Sequence, residues 1–208
     1  MPTLEDIESR LAAYEPRLVA VAGRSQAAVA LILRRGQRGA EVLFIERARR
    51  EGDPWSGHMA FPGGRVDPGD RNDREAAERE TQEEVGLSLA GSNYLGRLDD
   101  LEGHPALPDG GIVVAAHVYH APDPEPLRLN HEVQQAFWFP VSDLLNSGRH
   151  VVYPHASHGG RRLPGILVGI PDRHIVWGLT YRFLDIFLGA VGKPLPDRWA
   201  KPGEEPSR

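Results

Sequence analysis

An α/β fold, in which short apolar strands alternate with amphipathic helices, is predicted by three features of the sequence. Apolar runs recur along the chain, at residues 27–33, 42–45 and 112–120, each too short for a helix and bounded by turn residues. Helical periodicity is present in three other places, at residues 3–13, 74–84 and 178–191. Between them lie many breakers, with 23 glycines and 18 prolines in 208 residues.

The elements follow in order. At the start, Thr3 can cap a helix over residues 3–13 whose stripe is Leu4, Ile7 and Leu11. Residues 27–33 and 42–45 read as two strands joined by a loop over 34–39. A short strand at 58–61 leads into Gly63-Gly64. The helix over 74–84 stops before Gly86, a good C-terminal signal. Strands are expected at 94–98, 112–120 and 136–139, then a helix opening near Pro140. Short strands at 150–153, 163–170 and 174–176 precede a closing helix over 178–191, with Leu179, Phe183, Ile186, Phe187 and Val191 turned inward. There are no internal repeats. The expected organisation is an N-terminal helix and lead-in over 1–26, a single domain over 27–191, and a Pro- and charge-rich disordered tail over 192–208.

Composition excludes several function classes. A net charge of −5 gives no general footprint for nucleic acid. With no cysteine, disulfides, thiolate catalysis and Cys-based zinc sites are ruled out. No segment has the pattern of a signal peptide or the length of an apolar membrane span, so a soluble cytoplasmic protein is the expectation.

Residues 63–87 carry the chemistry. A glycine loop runs into a helix where Glu80, Glu83 and Glu84 stand at i, i+3 and i+4, so their carboxylates share one face. Three anions so close repel one another unless something cationic sits among them. Oxygen-only donors of this kind suit hard divalent ions such as Mg²⁺ or Mn²⁺. The competing reading is a solvated acidic helix face, but the glycine loop and the REx₂EExG context favour a metal site.

This stretch resembles the Nudix box, whose pattern is G-x₅-E-x₇-R-E-U-x-E-E-x-G-U with U apolar. Gly64, Arg79, Glu80, Thr81, Glu83, Glu84, Gly86 and Leu87 align with it. Asp70 stands where the family has its first glutamate, the gap from there to Arg79 is one residue longer, and Thr81 is less apolar than the pattern asks. The resemblance implies a mixed-sheet α/β/α sandwich and a phosphoric anhydride hydrolase. It implies Glu80, Glu83 and Glu84 as metal ligands, the Gly63 carbonyl as a further one, and Arg79 as the cation that orients the glutamates. Glu83 and Arg79 are therefore catalytic candidates. Glu132, in a polar segment before an aromatic strand, is the candidate for the extra acid that relatives recruit as base or ligand; a solvated loop residue is the alternative. The neighbouring acids Asp99, Asp100 and Glu102 read as a solvated strand end.

The segment before the box is similar to the coenzyme A pyrophosphatase branch of that family, L-L-T-x-R-[SA]-x₃-R-x₃-G-x₃-F-P-G-G. Leu43, Arg47, Ala48, Gly57, Phe61, Pro62, Gly63 and Gly64 fit; Asp53 takes the place of the second arginine, for which Arg49 or Arg50 could substitute in space. His174, Val176, Trp177, Gly178 and Thr180 resemble a second element of that branch, R-H-x-V-W-G-x-T. Arg47, Trp55 and His58 are the substrate-binding candidates, with packing as the alternative for Trp55 and strand filler for His58. His155 and His158, three apart in a Gly-rich turn, are weak metal candidates, and Arg161-Arg162 reads as a surface charge pair. The function implied is Mg²⁺- or Mn²⁺-dependent cleavage of a nucleoside diphosphate derivative, with coenzyme A or acyl-CoA leading. ADP-ribose or a dinucleotide is the alternative substrate, and a non-catalytic ligand-binding module the alternative class. The implied partner is that small molecule, with no nucleic acid and no membrane; a homodimer is the assembly common among relatives.

Overall fold

The computed structural model describes residues 3–50, 56–90, 92–103, 111–122, 124, 126–154 and 162–195. Among these residues the main sheet has eight strands. The central strand β1 (Ser25–Gly36) is paired antiparallel with β2 (Gly39–Arg47) and parallel with β7 (Ile112–His120), which makes the sheet mixed. Outward from β2 come β3 (Met59–Ala60) and β8 (Val133–Pro140); β4 (Gly63–Arg65) pairs with β1; β5 (Asn93–Arg97) and β6 (Leu101–Gly103) pair with β7. A separate three-stranded sheet has the order β11 (Ile175–Trp177), β10 (Arg162–Leu167), β9 (His150–Pro154).

Alternation along β1 divides the core. Ala28, Ala30 and Ile32 face one side with Ala76, Ala77 and Val85 of the helix α2 (Asp73–Val85). Leu31 and Leu33 face the other, with Leu4, Ile7 and Leu11 of α1 (Leu4–Ala12) and Phe183, Leu184 and Phe187 of α3 (Gly178–Ala190). A period of two places successive residues on opposite faces, so one apolar strand supports two layers. The result is the α/β/α sandwich, with α2 alone on one face.

Several expectations are refined. The strands β1 and β2 extend to a tight connection between Gly36 and Gly39, absorbing most of the loop expected over 34–39. β4 and β6, three residues each, carry too little periodicity to be seen in sequence and are strands only because a neighbour pairs with them. The element after Pro140 is a 3-10 helix, Val141–Leu145. In α3, Tyr181, Leu184 and Leu188 are buried while Leu179 and Ile186 are only partly so, because the helix packs against both sheets. Residues 196–208, most of the expected tail, lie outside the described residues. Among the described residues, no helix is long and apolar enough to cross a membrane.

Of the acids at 99–102, Glu102 is the exposed strand residue expected, but Asp99 and Asp100 are not solvated. Asp99 and Asp100 are buried and tie down the segment that follows α1. Asp99 accepts from the Tyr14 hydroxyl at 2.6 Å, the Arg17 backbone N–H at 3.0 Å and Arg17 Nε at 2.6 Å; Asp100 accepts from the Val19 N–H and from Arg97. Burial opposes ionisation of Asp99, but these donors outweigh it and hold its pKa below the usual value. A lowered folded-state pKa means the stabilisation is complete above about pH 4. It is lost as pH falls through the folded value. Asp99→Ala strands the donors and is expected to cost about 2–3 kcal/mol at pH 7 in urea denaturation. The gap to wild type should narrow as pH falls below about 4; a gap unchanged with pH would refute the ionic account.

Candidate active site

The glycine loop is built against the central strand. Val29 lies opposite Gly63 and Ala28 opposite Gly64 across the antiparallel β1–β4 pair. Gly63 has φ 151°, and a Cβ there would strike the Ala28 carbonyl oxygen and the Val29 Cα. A Cβ on Gly64 would instead strike the carboxylate of Glu80. Glycine at these two positions lets the loop backbone lie directly beneath the acidic face of α2.

α2 is delimited as its sequence requires. Asn72 caps its start by accepting from the Glu75 N–H at 2.9 Å, and Gly86 ends it in the left-handed region at φ 70°. Thr81, the residue less apolar than the box pattern asks, is fully buried, and its hydroxyl donates to the Ala77 carbonyl at 2.7 Å. With the hydroxyl satisfied inside the helix, its methyl group serves the apolar position.

The cation that the glutamates need is Arg79. It makes a two-pronged pair with the buried Asp70, both contacts at 3.0 Å, and donates to Glu80 at 2.9 Å and to the Arg65 carbonyl at 3.1 Å. Its Nη1 lies 3.5 Å from Glu83. Asp70 thereby fixes the guanidinium plane, and the charge of Arg79 keeps the Asp70 pKa below its usual value. The shorter side chain at position 70 and the longer spacing to Arg79 come together in one bidentate pair.

Glu84 is the most enclosed of the triplet, with 1% of its surface exposed. Burial raises its pKa to about 7, offset by the Gly63 N–H at 2.9 Å and the charge of Arg47, and reinforced by Glu80 and Glu132. Glu80 is also raised, first by burial and then by Glu83 and Glu132, against the pull of Arg79. Four carboxylates therefore act on one another across one small region.

Glu132 reaches that region through the end of α2. The Arg128 and Asn130 backbone N–H groups donate to the Val85 and Glu84 carbonyls at 2.8 and 3.0 Å, satisfying acceptors that a helix end leaves open. The Asn130 side chain accepts from the Glu132 N–H, and the Glu132 carbonyl accepts from the Ala48 N–H at 2.7 Å. The Glu132 carboxylate pairs with Arg50 at 3.0 Å. Arg50 is a member of the site that sequence reasoning left as one of two alternatives.

Among the described residues, no three His, Asp or Glu side chains are already gathered closely enough to hold a metal ion. The donor chemistry nevertheless fits a hard divalent cation. It is all oxygen, its burial, reinforced by neighbouring carboxylates, raises two carboxyl pKa values, and it lies over a loop where a Cβ would fill the space. Glu83, half exposed and, among the described residues, in contact with Arg79 at 3.5 Å, is the adjustable member.

Of the substrate-binding candidates, Arg47 stands at the end of β2 and acts electrostatically on Glu84. Its backbone N–H donates to the His58 carbonyl at 3.0 Å. The His58 ring lies edge-on to Trp177 at 4.8 Å, in a groove shared with Arg49, Tyr153 and Arg173. Trp55, Asp53, His155, His158 and Arg161 lie outside the described residues.

The chain is similar to known proteins. The NUDIX domain family model matches residues 24–156. A Citrobacter koseri protein named uncharacterized Nudix hydrolase NudL is 31% identical over 183 residues, covering 86% of this chain and 89% of its own length. The mitochondrial coenzyme A diphosphatase NUDT8 of Homo sapiens is 33% identical over 141 residues, 67% of this chain. The chain spans less than two thirds of the first curated relatives it matches, 58% of the human protein and 33% of an uncharacterized Schizosaccharomyces pombe protein. Among solved structures, a MutT/nudix family protein from Enterococcus faecalis superposes with a TM-score of 0.55 at 19% identity, over 92% of this chain and 70% of that one.

Proposed function

The chain belongs to the NUDIX domain family, and on that premise we propose that it is a divalent-cation-dependent pyrophosphohydrolase acting on nucleoside diphosphate derivatives. The leading substrate is coenzyme A or an acyl-CoA, cleaved to phosphopantetheine, or its acylated form, and adenosine 3′,5′-bisphosphate. The printed name of the human relative supports that choice, as does the fit of Arg47, Gly57 and Phe61 to the segment before the glycine loop.

The single observation that carries the reading is the convergence of Glu80 and Glu84 with Glu132, delivered from 48 residues beyond Glu84 by hydrogen bonds to the end of α2. Glu80, Glu83, Glu84 and the Gly63 carbonyl would hold Mg²⁺ or Mn²⁺. Such an ion, when bound, neutralises phosphate oxygens and makes a water more acidic. Arg79 holds Glu80 in place and offsets the repulsion within the triplet. Glu132, about one third exposed and paired with Arg50, would take the proton from an attacking water.

The test is a mass-spectrometric product assay with Mg²⁺ across coenzyme A, ADP-ribose, NADH and nucleoside triphosphates, with Glu83→Gln as control. Selective release of adenosine 3′,5′-bisphosphate from coenzyme A, lost in the variant, is the expected result. Preferential cleavage of another diphosphate would discard the coenzyme A assignment while retaining the hydrolase. No turnover with either Mg²⁺ or Mn²⁺ would overturn the catalytic reading in favour of a ligand-binding module.

A further inference from the structure

A groove of about 160 Å³ lies between the β2–β3 connection, which supplies Arg49, Gly57 and His58, and the second sheet, which supplies Tyr153, Ile175 and Trp177. Its floor is aromatic. The Tyr153 and Trp177 rings lie nearly parallel, 14° apart with centroids 4.6 Å from each other, and His58 meets Trp177 edge-on. Arg49, exposed, stands on the rim.

The groove is rigid for a reason. Arg173, on the wall, makes a two-pronged pair with the buried Glu46 at 2.8 Å through each nitrogen, and His174 packs behind with Nε2 3.4 Å from the same carboxylate. Burial opposes ionisation of Glu46, but Arg173 and His174 outweigh it and keep its pKa below the usual value. This pairing bolts the β10–β11 turn to the end of β2, and the turn needs Asp172 in the left-handed region at φ 60°. Trp177 follows five residues after Asp172, paired opposite Gly165.

Groove and carboxylates are joined through four consecutive residues of one strand end. Arg47 bonds by its backbone to His58, Ala48 bonds to Glu132, Arg49 lines the groove, and Arg50 pairs with Glu132. A molecule with its diphosphate at the glutamates therefore extends one of its two arms into the groove. The chemistry selects the arm. Stacked aromatic surface favours a planar heterocycle, and a rim arginine favours an anion. A flexible, uncharged amide chain matches neither.

We propose that this groove is the nucleoside subsite: a purine ring packs against the Tyr153–Trp177 pair, and a phosphate on the ribose, separate from the diphosphate, meets Arg49. The assignment rests on the pyrophosphohydrolase reading for the position of the diphosphate, but its test does not require hydrolysis.

The full chain is titrated calorimetrically in EDTA with adenosine 3′,5′-bisphosphate, adenosine 5′-monophosphate and phosphopantetheine. The bisphosphate is expected to bind more tightly than the monophosphate, with phosphopantetheine unable to compete. Tyr153→Ala should weaken the bisphosphate about ten-fold, and Tyr153→Phe, which keeps the ring, should restore it. Arg49→Gln should cost about ten-fold and remove the preference for the bisphosphate over the monophosphate. Arg38→Gln, exposed and paired with Asp143 elsewhere, should bind as wild type does. Equal affinity of Arg49→Gln and wild type for the bisphosphate would overturn the assignment. So would displacement of the bisphosphate by phosphopantetheine, or no binding of either nucleotide. If no diphosphate is hydrolysed while the titrations follow the expected pattern, the catalytic reading falls and the subsite stands. If hydrolysis proceeds with titrations insensitive to both variants, the subsite alone falls.

Discussion

Glu84→Gln is expected to lower turnover by about two to three orders of magnitude and at the same time to make the cation-free protein more stable above pH 7. Both effects come from one carboxylate in one place. Glu84 is 1% exposed, accepts the Gly63 N–H, and has its pKa raised to about 7 by burial. A carboxyl group whose folded-state pKa lies above its unfolded value binds its proton more tightly in the folded protein. Stability is therefore highest at or below about pH 4.5 and declines as pH rises through about 7, a loss of order 3 kcal/mol. Glutamine has the same shape, keeps an oxygen for the Gly63 N–H, and carries no charge to desolvate. Its melting temperature should match wild type near pH 5 and exceed it at pH 8. Mg²⁺ should raise the wild-type melting temperature, more at pH 8 than at pH 5.5 because ligands must be deprotonated, and should do little for the variant. Thermal melts across pH, with and without Mg²⁺, read all of this beside the activity. A variant less stable than wild type at pH 8 would show that the buried charge is compensated in a way the site geometry does not contain.

The second large effect is expected at Gly63. Gly63→Ala should destabilise the fold by about 3 kcal/mol or more, because strain at a positive φ adds to a steric conflict with backbone. The atoms in the way are the Ala28 carbonyl oxygen and the Val29 Cα of β1. That strand cannot retreat, being hydrogen-bonded to β2, β4 and β7 and packed on both faces. Gly64→Ala provides the contrast. Its Cβ would meet the end of the Glu80 side chain, which can swing aside, so stability should change by less than about 1 kcal/mol. Activity should nonetheless fall sharply, because the displaced group is a candidate metal ligand. Urea denaturation with kinetics separates the two substitutions. Wild-type stability in Gly63→Ala would refute the tight β1–β4 approach; equal loss of stability in both would mean that Glu80 is as immobile as backbone.

Local periodicity and local sterics are legible along the chain alone. The stripe Leu4, Ile7 and Leu11, the helix ending at Gly86 and the run at 112–120 each follow from spacing within a single element, and each is found in place. The shared face of Glu80, Glu83 and Glu84 is of the same kind, since residues three and four apart on a helix are neighbours whatever surrounds them. The need for a cation among them was equally legible, although only the tertiary structure shows that Arg79 meets it while anchored to Asp70. Strand pairing and loop docking decided the remainder. β4 and β6 exist because partners lie alongside, and the acids at 99 and 100 are buried because the chain after α1 folds over them. The segment that carries Glu132 docks on the end of α2 and on Ala48 mostly through backbone bonds that many residue types could make, with Asn130 adding a side-chain acceptor, so local spacing alone does not announce it. The groove of Tyr153, Trp177 and Arg49 gathers residues from elements more than 100 positions apart. Periodicity reports which face of an element is apolar. Which faces meet is set by the packing of the whole sheet and its helices.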